Sequence, residues 1–267
     1  MENTFLKWAG GKNWFVKHQR HRIPQQYNRY IDPFLGGGSI YFFLEPQQAI
    51  INDINPELIT TFRAIQNNWQ AVEQRLRAHA RNHNREYYYQ VRGMRPRTDT
   101  TIAARMIYLN RTCFNGIYRV NRRGQFNVPI GTHNHVILAT DQFQQRAKIL
   151  QHAQLLCGDF ELVIDMAQRN DFLFCDPPYA VLDDEQRFVG YTRQTFDWND
   201  QIRLAHAIER ARQRGVKIIM TNVNHPDVRA LYQNDGYALE EVTRYSSISG
   251  LAGGRQQYSE LIVSANV

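Results

Sequence analysis

Phe172-Leu173-Phe174-Cys175-Asp176-Pro177-Pro178-Tyr179 is a run of four apolar residues that breaks off at a carboxylate, two prolines and an aromatic ring. An unbroken apolar run this short suits a strand covered on both faces, as in parallel sheets. Similar runs stand at Tyr30-Ile31, Ala49-Ile50-Ile51, Leu155-Leu156-Cys157 and Lys217-Ile218-Ile219-Met220. Helical patterns lie between them, over Ser39–Leu44, Pro56–Gln66 and Trp198–Arg214, the last with Asp197 as N-cap and Gly215 as its stop. Strand, helix, strand repetition predicts an α/β doubly wound sheet, whose ligands bind at the carboxyl ends of the strands. Ala238–Arg244 and Leu261–Ala265 are expected as an antiparallel pair at one edge, joined by the Gly-rich stretch Ser249–Arg255.

With 267 residues and 43% hydrophobic content, the chain can bury a real core, which excludes a disordered protein. A net charge of +7 suits a polyanionic partner without proving one. Cys113, Cys157 and Cys175 are odd in number and lack metal-ligand spacing, so they are expected to be reduced thiols filling the core, and no metal site is expected. No stretch approaches the ~18 apolar residues of a membrane span, and the first residues carry no apolar signal core. A soluble, cytoplasmic protein is expected.

From about Trp69 to Thr112 the βαβ rhythm is replaced by helical patterns, and it does not resume until about Leu155. This middle is expected to be an insertion. Between residues 75 and 123 stand twelve arginines against two acids, Glu86 and Asp99. Such a run is ordinarily a solvated face, but Tyr87, Tyr88, Tyr89, Tyr108, Phe114 and Tyr118 are interleaved with it, which favours contact with nucleic acid. Ile117–Val120 and Gln125–Val128, on either side of Asn121-Arg122-Arg123-Gly124, are predicted to form a two-stranded ribbon of the kind that enters a major groove.

Asp32-Pro33-Phe34-Leu35-Gly36-Gly37-Gly38-Ser39 follows one strand and precedes a helix, where small residues let a cofactor approach the backbone. Tyr41 stands where the last glycine of a dinucleotide fingerprint belongs, and Asn13 follows Gly11-Lys12, so neither NAD nor a P-loop is indicated. Asp53, at the end of the next strand, suits hydrogen bonds from a ribose diol, with a helix N-cap as the alternative. At Asp176-Pro177-Pro178-Tyr179 a carboxylate and a peptide carbonyl provide two acceptors for the N–H bonds of an aromatic amine, whose lone pair is otherwise delocalised into its ring. The prolines fix φ and steady that carbonyl, and Tyr179 offers a face on which a base can stack.

These residues together resemble the Dam-type DNA adenine-N6 methyltransferases, in the motif order of the alpha group of amino-methyltransferases, over nearly the whole chain. The matching segments are Phe5-Leu6-Lys7-Trp8-Ala9-Gly10-Gly11-Lys12, Asp32 to Ser39, Asp53, and Asp176 to Tyr179. The resemblance implies a Rossmann-like methyltransferase sheet in residues 1–66 and 145–267, with a helical plus β-hairpin target-recognition domain in 67–144. It implies S-adenosylmethionine as cofactor, bound by Trp8, Ala9, Gly10, Lys12, Asp32, Phe34, Gly36, Gly38, Ser39, Asp53 and Asp176, with Lys12 near its carboxylate. Asp159-Phe160 falls where the family binds the cofactor's adenine, although Asp159 also suits a helix cap.

The segment Asn110-Arg111, Phe114 to Arg119 and Gln125 to Gly131 is similar to the family's recognition hairpin. In relatives that methylate adenine within GATC, the positions matching Lys7 and Arg119 read guanine, and those matching Ile117 and Pro129 lie near a thymine. Those matching Phe114 and Asn115 approach the gap left by the flipped base; Arg111, Gly116, Asn121, Arg122, Arg123 and Asn127 complete the expected DNA surface. Phe114 and Ile117 stand where members often carry Tyr or Leu. The implied partner is double-stranded DNA, acted on by a monomer at GATC or a longer site containing GAT. Methylation of cytosine N4 uses a similar acceptor site, and a DNA-binding protein without turnover is the reading from a different class. A protein-glutamine methyltransferase would more naturally carry Asn at Asp176.

Overall fold

In the computed structural model, residues 4–121, 123–180, 196–245 and 257–267 are described. In chain order the elements are α1 (Asn13–His18), β1 (Tyr30–Asp32), α2 (Ser39–Leu44), β2 (Ala49–Asp53), α3 (Pro56–Asn82), α4 (Arg85–Gly93), α5 (Asp99–Thr112), α6 (Phe143–Leu150), β3 (Ala153–Cys157), α7 (Phe160–Asp165), β4 (Phe172–Cys175), α8 (Trp198–Gln213), β5 (Lys217–Val223), α9 (Pro226–Ala230), β6 (Ala238–Tyr245) and β7 (Gln257–Ala265). The α/β class expected from the alternating runs is the one observed. No helix among the described residues is long and apolar enough to cross a membrane. The chain divides into two compact units: residues 1–21 with 35–158, and residues 22–34 with 159–267. The expected recognition segment 67–144 thus shares a unit with β2 and β3.

In the first unit β2 and β3 run parallel, from Ala49 opposite Ala153 to Asp53 opposite Cys157. Asn55 caps α3, its side chain accepting from Glu57 N and Leu58 N, with Pro56 in the first turn, where its missing N–H costs nothing. The helix continues past Gln66 to Asn82, but the backbone leaves helical geometry at Asn68. The Asn68 side chain accepts from Ala71 N and so caps the second segment. The expected boundary therefore marks a kink. Leu58, Ile59, Phe62, Ile65, Val72 and Leu76 form the buried stripe of α3, against which α5 packs. Phe5 joins this core, 5.9 Å from Phe42, 5.1 Å from Phe62 and 6.0 Å from Phe143 between ring centroids. Each such buried ring contributes about 1.5–3 kcal/mol by leaving water.

In the second unit the strand order is β1-β4-β5-β7-β6. β4 runs parallel to β1 and to β5, with Ile31 opposite Leu173 and Cys175 opposite Met220. β7 runs antiparallel to β5 and β6 antiparallel to β7, which is the pair expected near the C-terminus; the Gly-rich Ser249–Arg255 lies outside the described residues. Asp197 caps α8 in a reciprocal capping box with Asp200. Because β4 has a partner on each side, its C-terminal end opens inside the sheet and not at its edge.

The expected ribbon is reduced to a turn. Val120 and Phe126 form one isolated bridge, flanked by Asn121 N to Gln125 O at 2.8 Å and Asn127 N to Arg119 O at 3.1 Å. The Asn121 side chain accepts from Arg123 N and Gln125 N, closing the turn locally instead of extending a ladder. Of the cysteines, Cys113 and Cys175 are buried as expected, whereas Cys157, at the end of β3, is exposed.

Arg111, expected on the DNA surface, is an internal residue. Its guanidinium donates to both carboxylate oxygens of Asp141, at 2.6 and 2.8 Å, and to the carbonyls of Val136 and Phe5. Both side chains of the pair are buried, so the charge is spent inside the fold. Replacing Arg111 with Ala strands the Asp141 carboxylate away from water. The expected outcome is a loss of about 3–5 kcal/mol of stability, measured by urea unfolding.

Candidate active site and nucleic-acid interface

In the second unit, Asp32 and Asp176 leave the sheet at the carboxyl ends of the neighbouring strands β1 and β4. The Asp176 carboxylate accepts a 2.8 Å hydrogen bond from the hydroxyl of Thr221, a buried residue of β5. Pro177 is buried, and Pro178 and Tyr179 are part-exposed. Burial pushes the Cys175 thiol well above its usual range, and the charges of Asp176 and Asp32 push it further, so it is inert as a nucleophile. Asp32 shapes the turn after β1: it accepts from the Tyr30 hydroxyl at 2.8 Å and from Phe34 N at 3.1 Å. Phe34 stacks on Phe160 at 5.3 Å, and Phe196 meets both rings edge-on or tilted. Asp159 caps α7 through Glu161 N, and both of its carboxylate oxygens accept from Nη2 of Arg203 at 3.0 Å. The Arg203 guanidinium lies 5.0 Å from the Phe160 ring centroid.

In the first unit, Trp8 to Lys12 turn back on themselves: Gly11 N donates to Trp8 O, and the buried Lys12 amine donates to Gly10 O at 3.0 Å. The indole of Trp8 lies against the glycine loop, since a Cβ at Gly36 would stand 2.8 Å from its Cδ1. Gly36 also has φ +50°, so two constraints require glycine there. Its N–H donates to Asp53 at 3.0 Å, and Asn55 N donates to the other oxygen at 2.9 Å. Asp53 is therefore not the N-cap of α3, a role that Asn55 fills. Burial raises its pKa against the opposing pull of these backbone donors, and a carboxylate in that state is stabilised by further donors, as a diol provides. Ser39 is buried at the start of α2 behind the loop.

The same unit carries the expected recognition residues. Lys7, Phe114, Asn115, Ile117, Arg119, Asn121, Arg123 and Pro129 are exposed and Asn127 is half-buried; Arg122 lies outside the described residues. Asn110, buried at the end of α5, accepts from Lys7 N at 2.9 Å and donates to Lys7 O at 2.8 Å and Gly116 O at 3.3 Å. Gly116 has φ +66°, and a Cβ there would lie 2.6 Å from Lys7 Cδ, so the lysine stem lies directly on the Phe114–Gly116 turn. Phe114 N bonds Pro129 O at 2.9 Å, and Arg119 donates to Asn127 at 2.9 Å. One cluster thus gathers Lys7, Phe114–Arg119 and Asn127–Pro129. The arginine-rich run itself divides. Arg105, which bonds Glu57 and the carbonyls of Val91 and Arg92, is buried like Arg111, and Tyr88 and Tyr108 are core residues.

Residues 8–248 match the profile of the D12 class N6 adenine-specific DNA methyltransferases. This chain belongs to that family. A type II methyltransferase, M1.LlaDCHI, of Lactococcus lactis subsp. cremoris is 34% identical over 97% of this chain and 94% of its own length. DNA adenine methylases of Vibrio cholerae serotype O1 and Haemophilus influenzae are 30% and 32% identical, over 98% and 97% of this chain and 95% and 92% of theirs. The protein is an enzyme that methylates adenine N6 in DNA. The cytosine-N4 reading and the reading as a binding protein without turnover fall with that result.

For this methyltransferase, sequence reasoning passed over two residues that hold others in place. Asn110 lay inside the recognised segment without a role, and Thr221 drew no notice, although a hydroxyl among the apolar residues of β5 is a signal of its own. Thr221→Val keeps the shape and removes the hydrogen bond to Asp176. Turnover is expected to fall about 10–100-fold from loosened positioning, with KM for DNA little changed, as steady-state kinetics will show; unchanged kcat would make the contact incidental.

Proposed function

We propose that the chain transfers a methyl group from S-adenosylmethionine to N6 of an adenine rotated out of double-stranded DNA, within GATC or a longer site containing GAT. The observation that carries this reading is the Asp176 carboxylate, held by Thr221 at the end of an inner parallel strand and followed at once by two prolines. An aromatic amine has to become pyramidal to attack, and acceptors on its N–H bonds favour that geometry. Asp176 takes one N–H, the Pro177 carbonyl takes the other, and Pro178 holds the turn. Tyr179 stacks on the extruded base, offsetting an unstacking cost of a few kcal/mol with about 1–3 kcal/mol.

When bound, S-adenosylmethionine supplies an electrophilic methyl carbon. The residues assigned to hold it are Trp8, Ala9, Gly10, Lys12, Asp32, Phe34, Gly36, Gly38, Ser39, Asp53, Asp159, Phe160 and Asp176. The fit is supported by Asp53, whose pKa burial raises, and by the stacked rings of Phe34 and Phe160, the latter next to Asp159 in sequence. Lys12 meets the donor's carboxylate, and Asp53 its ribose.

Residues 67–144 are assigned to target recognition and residues 1–66 and 145–267 to catalysis. Lys7 and Arg119 read guanine, a long cation and a planar fork each suited to O6 and N7; Ile117 and Pro129 lie near the thymine methyl. Phe114 and Asn115 fill the gap left by the flipped base. Gly116 lets Lys7 come close, and Asn121, Arg123 and Asn127 complete the surface.

Two measurements test this. Asp176→Ala is expected to lower transfer of labelled methyl from S-adenosylmethionine to duplex DNA by at least about 100-fold while calorimetry finds cofactor affinity within a few-fold; full activity refutes the assignment. Arg119→Ala is expected to lower discrimination against substitution of one guanine by about 5–150-fold, with the salt dependence of binding largely kept. Equal losses on every sequence would identify a phosphate contact instead.

A further inference from the structure

Tyr118 sits between two exposed residues, Ile117 and Arg119, yet its own side chain turns inward. Extended backbone alternates sides, so the residue that points away from the DNA face is the one that anchors its neighbours. Its contacts include a stacked ring, a second ring and a carboxylate. Its ring stacks on the Trp8 indole, with centroids 5.2 Å apart and planes at 26°. It meets Phe126, across the Val120–Phe126 bridge, at 5.8 Å. Its hydroxyl donates to Glu57 at 2.9 Å. Glu57 is the second residue of α3, four residues after the Asp53 strand end, and its other oxygen accepts from Arg105 at 2.9 Å.

The Trp8 indole therefore touches both the glycine loop, where a Cβ at Gly36 would stand 2.8 Å from its Cδ1, and the ring of Tyr118. We infer that Tyr118 is a positioning residue that couples donor binding to target reading, with the Trp8 indole as the shared surface and Glu57 as its fixed end. This rests on the proposed placing of the donor at Trp8 and the glycine loop. A ligand seated against Trp8 sets the indole, the indole sets the Tyr118 ring, and the ring sets the backbone from which Ile117 and Arg119 project. Such linkage is reciprocal: whatever cognate DNA gains from bound donor, the donor gains from cognate DNA.

The test uses the full chain, S-adenosylhomocysteine as an unreactive probe, and two duplexes: one that the wild type methylates, and the same duplex with its methylated site scrambled. Calorimetry gives the probe's affinity for protein alone and with each duplex. In the wild type the methylated-site duplex is expected to tighten probe binding by a factor within about 5–150, and the scrambled duplex is not. Tyr118→Leu is expected to abolish this tightening while general DNA binding persists. Tyr118→Phe, which keeps both ring contacts and loses the bond to Glu57, is expected to fold as the wild type does and show a reduced factor, as is Glu57→Gln. Undiminished tightening in Tyr118→Phe and Tyr118→Leu, or none in the wild type, overturns the coupling. Failure of the wild type to bind the probe at all fails the donor assignment itself and the coupling with it; binding that ignores the duplex fails the coupling alone.

Discussion

The Asp176 carboxylate, proposed above to hold a weakly nucleophilic amine, owes its position to strand pairing. β4 is hydrogen-bonded on one side to β1 and on the other to β5, and all four of its residues are buried. The chain emerges from it with little freedom, and the two prolines remove much of what is left. Thr221 reaches the carboxylate from the next strand because Cys175 and Met220 stand opposite one another in the register. A hydrogen bond to a charged acceptor in a partly desolvated place is stronger than one between neutral groups, which is why a single hydroxyl orients the group.

The first unit meets a different demand, to bring side chains from distant parts of the sequence to one face. It does so with backbone-directed bonds. The Asn110 amide spans the N–H and C=O of Lys7 as a neighbouring strand would, and with a third bond it ties the lysine to the Gly116 turn. The glycine loop is held by Asp53, whose two oxygens are shared between Gly36 N and Asn55 N. Charge is used twice over. Arg105 and Arg111 are internal struts paired with Glu57 and Asp141, whereas Arg119 and Arg123 are exposed.

Most of the elements were legible because local physics dominates them. The apolar runs at Ala49–Ile51, Phe172–Cys175 and Lys217–Met220 have no stable place except inside a sheet, and each is a strand. Asp197 followed by Asp200 caps a helix wherever it stands, and α8 begins there. Where the reading went astray, a competing local bond or a distant partner had taken over. Asn121 closes its own turn, so the anticipated ribbon shrinks to one bridge. Asn68 caps a second helical segment, so α3 runs on beyond a kink. Asn55, two residues past Asp53, takes the cap that the strand-end carboxylate was weighed for.

By itself the sequence determined the class of the protein and the chemistry on offer: the strand-ending Asp-Pro-Pro-Tyr, the glycine loop and the order of the motifs are consecutive residues, and consecutive residues are always near one another. Only the tertiary structure decided which of many identical side chains face solvent. Arg111 and Arg119 are eight positions apart in one basic run, yet Asp141, thirty residues beyond Arg111, draws one of them inside while the other stays out. Burial depends on what the fold brings alongside, and no property of an arginine or of its neighbours in sequence encodes that partner.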